Sequence, residues 1–422
     1  MNCNDEKTVL EYIRQNYKSV LKDPVGFIHY PFIDPGSVYD GNVWDWDTYW
    51  CVYGLKSLCE RNDERLGGAP DIREESLWEY AKGNIRNFLD HQMDDGYIPM
   101  MIENKDLPEP YLNLQHKNGI LMNMHKPFLC QQIDLISSWA GDYSWISGSI
   151  DKIDRYFECY DRYYFNNNCG LYVWRDDIMI GMDNDPASFG RPKSSTANIF
   201  LNSFMVMELN SAAGIYRKAG MPGKADVIMA KRERLIRSIH DECYDKRDNF
   251  FYSVDVDIKT RKYDWFHQGL GVFWKTLPIR IGVWSGFLPM YAGFATEDEA
   301  AHLVEHYHDD VEFGSEFGLT TLDKREKMFN LEATNNPSNW LGPVWIVANY
   351  CVFRGMLNYG YVEEAREICQ RSFGLLGNDI RKTGCMHEYY DPFTGEPIVN
   401  GGFINWNMLV LNMAEELRNY AD

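Results

Sequence analysis

Apolar residues recur every three or four positions through most of this chain, which is the period of an amphipathic α-helix. One such row, in the segment 72–92, consists of Leu77, Ala81, Ile85 and Phe88. A similar row in 198–219 ends at Gly220, with Pro222 just beyond, and a second helical run follows at once. Glycine and proline in those positions are typical of a helix C-terminus. The chain must therefore bury its apolar faces mainly by packing helix against helix.

The helical period appears in about a dozen segments, several of them separated by only a few residues. They lie near 5–20, 44–61, 72–92, 126–140, 145–164, 198–219, 222–243, 264–276, 284–308, 342–358, 361–376 and 405–420. Short β-like runs interrupt them at 171–180 and 249–257, and Thr296 with Glu299 forms a capping-box pattern. The pattern predicts an all-α fold rich in helical hairpins. Since no low-complexity linker interrupts the chain, we expect a single domain spanning 1–422.

Charge and composition restrict the ligand and the compartment. The 42 Lys and Arg residues are outnumbered by 62 Asp and Glu residues, which gives a formal charge of -20. Such a chain repels nucleic acid and anionic membranes at long range, and a neutral ligand suits it better. We expect no signal peptide, no membrane span and a cytoplasmic location. The 10 cysteines contain no C-x-x-C pair and are typical of buried apolar positions in a reducing compartment. The sequence leaves the oligomeric state open.

Aromatic rings and carboxyl or amide groups are concentrated at the junctions between the predicted helices. The stretches are GNVWDWDTYW (41–50), IGMDNDPASFGRP (180–192), NPSNWLGPVW (336–345), HEYYDPFTGEP (387–397) and GGFINWN (401–407). Sugars are bound by such mixtures, because the C–H face of a ring packs on an aromatic side chain while the hydroxyls bond to carboxylates and amides. Each stretch alone is explained equally well by helix capping and core packing. Five in one chain favour a carbohydrate site.

Four of these stretches, in this order, resemble motifs of inverting α-glycosidases. These include the trehalases (family 37) and processing α-glucosidase I with its bacterial relatives, mannosylglycerate hydrolases among them (family 63). WDWDTYW resembles W-D-[ST]-Y-[FW], and IGMDN resembles S-G-[WM]-D-[NFY]. NWLGPVWIVANY resembles W-R-G-P-V-W-I-x-x-N-Y, and HEYYDPFTG resembles E-x-Y-[DN]-P-x-T-G. The resemblance extends from about residue 30 to the C-terminus. It implies an (α/α)6 toroid with short β excursions in the loops at the active-site end.

The resemblance also implies roles. Asp183 would be the general acid and Glu388 the general base that activates water, in an inverting hydrolysis of an α-glucosidic or α-mannosidic bond. The substrate would be a small saccharide or a glycosyl-glycerate. The expected sugar-binding residues are Trp44, Asp45, Trp46, Asp47, Lys126, Arg175, Asn184, Trp340, Trp345, Tyr389 and Trp406. Trp340 and Trp345 are expected to wall the sugar subsite. Lys126 lies where trehalases have a Q-P-P-F segment. Arg175, Asp176 or Asp177 would supply polar contacts that Met179 and Ile180 do not.

Three other functions remain open: a glycoside phosphorylase, a sugar epimerase using His267 and His387, and a sugar-binding protein without catalysis. No cofactor is expected, because the chain has no G-x-x-x-x-G-K-[ST] motif. No metal is expected either. The spacing of His302, His306 and His308 resembles that of metal ligands, but it is more typical of the solvated face of a helix.

Overall fold

The computed structural model describes residues 3–60, 74–105, 107–258, 274–332 and 338–421. These residues form α-helices joined by short strands and loops. The helices are α1 (Cys3–Asn16), α2 (Asp45–Glu60), α3 (Glu74–Asp90), α4 (Tyr111–Lys117), α5 (Leu129–Ala140), α6 (Ile150–Tyr163), α7 (Ile199–Lys218), α8 (Pro222–Cys243), α9 (Leu288–Tyr291), α10 (Glu297–His308), α11 (Ile346–Asn358), α12 (Val362–Thr383) and α13 (Leu409–Ala421).

Six helices form a closed ring: α2 packs on α5, α5 on α7, α7 on α9, α9 on α11, α11 on α13, and α13 on α2 again. The ring helices α7 and α11 are buried on almost every face, as expected for helices that are apolar all round. The remaining long helices alternate with them along the chain and lie outside, as α8 does on α7 and α12 on α11. This is the (α/α)6 toroid that the resemblance implies.

The strands are two or three residues long and pair antiparallel. They are β1 (Leu21–Lys22), β2 (Phe32–Ile33), β3 (Val43–Trp44), β4 (Met101–Ile102), β5 (Phe165–Asn166), β6 (Leu171–Tyr172), β7 (Thr196–Ala197), β8 (Tyr244–Asp245), β9 (Phe250–Phe251), β10 (Val254–Asp255), β11 (Leu277–Pro278), β12 (Tyr389–Tyr390) and β13 (Pro397–Val399). The pairs are β1–β2, β3–β4, β5–β6, β8–β9 and β12–β13, and β10 lies between β7 and β11.

Most predicted helices match the structure to within a few residues, and two differ more. The predicted helix 361–376 ends too early, because α12 continues to Thr383. The predicted helix 284–308 is wrong as a single element, because a 3-10 turn and α9 come first and α10 begins only at Glu297. Gly293, at φ 69, ends the first part. Thr296 and Glu299 then form the expected capping box. Only Leu171–Tyr172 of the β-like run 171–180 is strand.

The predicted helix 264–276 falls almost entirely within 259–273, outside the described residues, and α4 was not expected from the sequence. In the described ranges no helix is both long enough and apolar enough to cross a membrane. The single-domain organisation and the cytoplasmic location stay predictions.

Candidate active site

A cavity of about 360 Å³ lies where the N-terminal ends of α2, α5 and α13 meet the loops around 178–189 and 388. This size is suited to a small-molecule ligand. Its lining consists of Tyr39, Trp44, Trp46, Asp47, Met100, Lys126, Ile178, Met179, Gly181, Asp183, Phe189, Ser338, Glu388 and Trp406. Seven of the expected site residues, including Asp183 and Glu388, are therefore brought together from distant parts of the sequence.

Asp183 lies half-buried on a loop whose neighbouring residues are tied down. The side-chain oxygen of Asn184 accepts a hydrogen bond from the backbone N–H of Trp340 at 2.6 Å. The carboxyl group of Asp185 accepts one from the Asn198 amide at 2.6 Å. Burial raises the pKa of Asp185 to about 6. Because the residues on its C-terminal side are anchored in the protein, the carboxyl group of Asp183 is presented at the cavity wall.

Gly181 allows the Asp183 loop to lie close to Trp46 and Lys126. It has φ 93, and a Cβ atom built there would lie 3.2 Å from Cε2 of Trp46 and 3.4 Å from Cε of Lys126. A side chain would be strained at that φ and would press against both residues. Glycine at this position therefore allows the close contact between the Asp183 loop and the start of α2.

Glu388 precedes β12 and is 1% exposed, although it borders the cavity. Its carboxyl group accepts hydrogen bonds from the Tyr39 hydroxyl, at 3.1 Å, and from the side-chain amide of Asn400 at the end of β13. Burial raises the pKa of Glu388 to about 7, and the negative charge of Asp183 adds to this, whereas the bonds from Asn400 and Tyr39 oppose it. The two candidate carboxyl groups are thus close enough to interact electrostatically.

Asp45, Asp47 and Lys126 form a charged group at the base of the cavity. Asp45 is fully buried outside the lining, and its Oδ1 lies 2.8 Å from Nζ of Lys126, whose side chain is 2% exposed. Asp47 lines the cavity and accepts a hydrogen bond from the Asn405 amide at 2.8 Å. Burial raises the pKa of Asp47, against the opposing charge of Lys126. The arrangement presents an ammonium group and a carboxyl group to the cavity, with Asp45 holding the ammonium group in place.

The aromatic residues divide into two layers. Trp44, Trp46 and Trp406 border the cavity, with the rings of Trp46 and Trp406 centred 5.3 Å apart. Behind them lies a stack in which Trp340 and Trp345 are 3.9 Å apart and Tyr389 packs against Trp345 at 4.7 Å.

Trp340 and Trp345 were expected to wall the sugar subsite, but neither residue lines the cavity. Both rings are fully buried and outside the lining. Their indole N–H groups donate inward, from Trp340 to Oγ of Ser338 at 3.0 Å and from Trp345 to the carbonyl of Asn339 at 2.8 Å. Their contact with the site is indirect, because Trp340 packs against Trp46 at 6.0 Å. Tyr389 and Asn184 are likewise buried outside the lining.

Arg175 also lies outside the lining, on the turn after β6. Its backbone N–H donates to Oδ1 of Asn123 at 2.9 Å. Several residues that line the cavity or contact its carboxyl groups were not expected from the sequence: Tyr39, Met100, Ile178, Phe189, Ser338 and Asn400. Tyr39 and Asn400 could not be found from local patterns, because they reach Glu388 from a distant loop and from the partner strand.

The histidines considered for metal binding or for epimerase chemistry contact separate partners where the structure describes them. His302, His306 and His308 contact Tyr244, Glu312 and Glu364 respectively. His387 lies outside the cavity lining with Nδ1 2.9 Å from Asp379, and His267 is outside the described residues. Within the described ranges, no group of three or more His, Cys, Asp or Glu side chains is arranged to hold a metal ion.

The family described as the mannosylglycerate hydrolase MGH1-like glycoside hydrolase domain matches residues 77–406. Mannosylglycerate hydrolase MGH1 of Selaginella moellendorffii is 35% identical over 163 residues, which are 38% of this chain and 29% of that protein. A probable mannosyl-oligosaccharide glucosidase of Schizosaccharomyces pombe is 24% identical over 299 residues, covering 67% of this chain and 34% of that protein. The matches thus span about a third of these relatives' length.

Solved structures share the fold. The GH63 mannosylglycerate hydrolase from Thermus thermophilus, in complex with glucose, superposes with a TM-score of 0.66 at 17% identity, covering 96% of this chain and 98% of that one. Neutral trehalase Nth1 from Saccharomyces cerevisiae gives a TM-score of 0.55 at 13% identity, covering 93% and 76%. These likenesses confirm the (α/α)6 toroid. Since the family match spans most of the chain, this protein belongs to the MGH1-like glycoside hydrolase domain family, and the family resemblance expected from the sequence is confirmed.

Proposed function

We propose that this protein hydrolyses an α-glucosidic or α-mannosidic bond of a small saccharide or glycosyl-glycerate in one displacement, with inversion at the anomeric carbon. The proposal rests chiefly on one observation. Asp183 and Glu388, from the two motifs that supply acid and base in the resembling enzymes, border the same cavity. Relatives with mannosylglycerate hydrolase and glucosidase names support the two sugar classes.

In the proposed reaction, Glu388 takes a proton from a water molecule as that water attacks the anomeric carbon. The bond from that carbon to the glycosidic oxygen breaks, and the proton of Asp183 passes to the departing oxygen. The products are the β-anomer of the sugar and a free alcohol, and both carboxyl groups then exchange protons with solvent. Inverting enzymes hold their carboxyl groups roughly 6.5–9.5 Å apart to leave room for the water.

The surroundings of Glu388 suit a base. A pKa of about 7 makes its carboxylate a stronger proton acceptor than an ordinary glutamate. The hydroxyl of Tyr39 and the amide of Asn400 donate to it, which stabilises the ionised form despite burial. The donors therefore favour the charge state that the base needs before water is deprotonated.

We assign sugar binding to the other groups at the cavity surface. Trp44, Trp46 and Trp406 offer aromatic faces to the C–H groups of the ring, and Asp47 and Lys126 offer an acceptor and a donor to its hydroxyls. Two buried residues expected from the sequence would act without touching the sugar. Asp45 would hold Lys126 in place, and Asn184 would hold the Asp183 loop.

The test is proton NMR of α-linked disaccharides, glucosylglycerate and mannosylglycerate incubated with the protein. We expect the β-anomer to appear first, and we expect Asp183→Asn and Glu388→Gln each to lower the rate by about 10²-fold or more. Asp154→Asn, which removes a carboxyl group on the outer helix α6, is the matched control. The α-anomer appearing first would contradict the proposal, as would a product of unchanged mass. Release of a sugar phosphate only when phosphate is added would indicate a phosphorylase instead.

A glycosyl fluoride separates the two roles. Fluoride leaves without needing a proton, so an enzyme lacking only its general acid should still cleave the fluoride. We expect Asp183→Asn to retain most of its activity on α-glucosyl or α-mannosyl fluoride, and Glu388→Gln to lose it. The reverse result would mean that the two assignments must be exchanged.

A further inference from the structure

Four large apolar side chains, those of Met100, Ile178, Met179 and Phe189, line the cavity. Two of them are open to solvent, since Ile178 is 43% exposed and Phe189 is 54% exposed. Met100 is buried at the cavity wall. We call these four residues the apolar wall. An exposed apolar surface that continues into a polar cavity is typical of a ligand-binding site.

The apolar wall has its own packing support outside the main core. Met100 belongs to a separate cluster with Met101 and Leu112, and Met179 and Trp44 pack against that cluster. The pairing of β3 with β4 joins Trp44 to Met101. Methionine side chains are flexible and polarizable, so such a surface can adapt to apolar groups of different shape.

The loop that carries the outer residues is held in place. The side-chain amide of Asn123 donates to the carbonyl groups of Asp176, at 2.9 Å, and Ile178, at 2.8 Å. Met179 has φ 57, a conformation that is costly for a residue with a side chain and that persists only where the surroundings impose it. The exposure of Ile178 therefore belongs to an anchored loop.

The charges beside the wall disfavour an anionic leaving group. Asp47, Asp183 and Glu388 contribute carboxyl groups to the same cavity. Among the described residues of the lining, Lys126 is the only one with a cationic side chain, and Asp45 already pairs with it at 2.8 Å. A carboxylate placed against the apolar wall would lose hydration and would meet the ionised carboxylate of Glu388 in the same cavity.

We propose that the apolar wall is the leaving-group subsite, and that it selects glycosides whose aglycone is an apolar, uncharged alcohol over those that carry glycerate. Ile178 and Phe189 would determine this specificity. The inference rests on the proposed function, because the wall shares its cavity with Asp183, the residue assigned to protonate the departing oxygen.

Binding tests the subsite without relying on catalysis. Calorimetric titration of Asp183→Asn with the methyl, propyl and butyl α-glucosides and α-mannosides should show tighter binding as the alkyl chain lengthens. Each methylene group buried contributes about fourfold in affinity, so we expect at least about tenfold between methyl and butyl. Ile178→Ser and Phe189→Ser in the same background should flatten the series. Val227→Ser on α8, whose side chain is 67% exposed, should leave it unchanged.

Wild-type kinetics provide the second measurement, and they cover the case in which the Asp183→Asn variant folds poorly. We expect kcat/KM for butyl α-mannoside to exceed that for α-mannosylglycerol, and both to exceed that for α-mannosylglycerate. An alkyl series with no trend, or a preference for α-mannosylglycerate, would overturn the inference. Hydrolysis without any aglycone trend rejects only the subsite. Chain-length-dependent binding without hydrolysis of any glycoside rejects the proposed function and the leaving-group role with it, and leaves only an apolar binding site.

Discussion

At the scale of single residues, the charge of Glu388 is controlled by groups from other parts of the chain. Burial raises its pKa to about 7, and Tyr39 and Asn400 hold it below the value that burial alone would produce. If Glu388 is the base, kcat/KM should rise with pH through about 7 as its carboxyl group loses the proton. An unperturbed glutamate would place that rise near pH 4.3.

Tyr39→Phe is expected to move this rise to higher pH. The variant lacks the hydroxyl that donates to the carboxylate at 3.1 Å, so the ionised form of Glu388 loses stabilisation and its pKa increases further. The measurement is the pH profile of kcat/KM. Tyr143→Phe, which removes a hydroxyl bound to Asp134 of α5, should leave the profile in place, because neither residue lines the cavity. A lower plateau with an unmoved midpoint would argue against this role for Tyr39.

Gly181→Ala is expected to lower kcat/KM by about tenfold or more, since misplacing a catalytic group by about 1 Å can cost as much as 10²-fold. The added methyl group would press on Trp46 and Lys126 and push the Asp183 loop outward. Gly220→Ala is the control, because Gly220 has φ 75 and nothing within 4 Å of the added carbon. Both variants should lose some stability from the unfavourable φ, and equal losses of activity would contradict the steric explanation.

At the scale of secondary-structure elements, the end of α12 holds the segment that carries Glu388. Asp379 is fully buried and accepts hydrogen bonds from the Thr383 hydroxyl at 2.9 Å, the His387 N–H at 3.0 Å and the Tyr390 hydroxyl at 2.8 Å. Two of these three donors lie on either side of Glu388. The position of the base therefore depends on a helix that has no residue in the described cavity lining.

Asp379→Ala is expected to lower both stability and activity. It leaves the buried Tyr390 hydroxyl without its acceptor, which costs about 1–3 kcal/mol in the free energy of unfolding, and it frees the start of β12, which should lower kcat. Thr296→Ala is the matched control, because loss of the α10 cap costs about 1 kcal/mol far from the cavity. Denaturant unfolding and kcat measured under folding conditions distinguish the two. Activity unchanged in Asp379→Ala would show that Asp379 serves stability alone.

At the scale of the whole molecule, buried carboxyl groups link stability to pH. Burial raises four carboxyl pKa values to between about 6 and about 7, those of Asp34, Asp185, Glu208 and Glu388. A group whose pKa is raised on folding adds stability that is fully present below its unfolded value, near 4, and is lost as the pH rises through the folded value. His91 and His125, whose pKa values burial lowers, oppose this trend but are fewer.

We therefore expect Tm to be higher at pH 5 than at pH 7.5, with the free energy of unfolding falling by at least about 1 kcal/mol per pH unit near pH 6. Calorimetric unfolding at several pH values measures this. In Glu208→Gln, which removes one titrating group bound to the backbone N–H groups of Cys130 and Gln131, the dependence on pH should be weaker. A Tm that rises between pH 5 and pH 7.5 would contradict the prediction.

The sequence alone predicted most helices and the fold, because each amphipathic helix carries its own period and a resembling set of motifs was present. It also singled out Asp183 and Glu388, whose roles remain proposals. Only the tertiary structure decided which neighbouring side chains reach the cavity. Trp46 borders the cavity, whereas Trp340, from an equally aromatic motif, is buried behind Trp46.

This difference arises because some properties depend on residues close together along the chain, whereas others depend on residues that meet only in the folded structure. Helical period and capping depend on residues within about four positions of one another, so they can be read along the chain. The pKa of Glu388 depends on Tyr39 and Asn400, and the apolar wall combines Met100 with Phe189. Those neighbours meet only when the ring of helices closes, and no local pattern in the sequence records that they do.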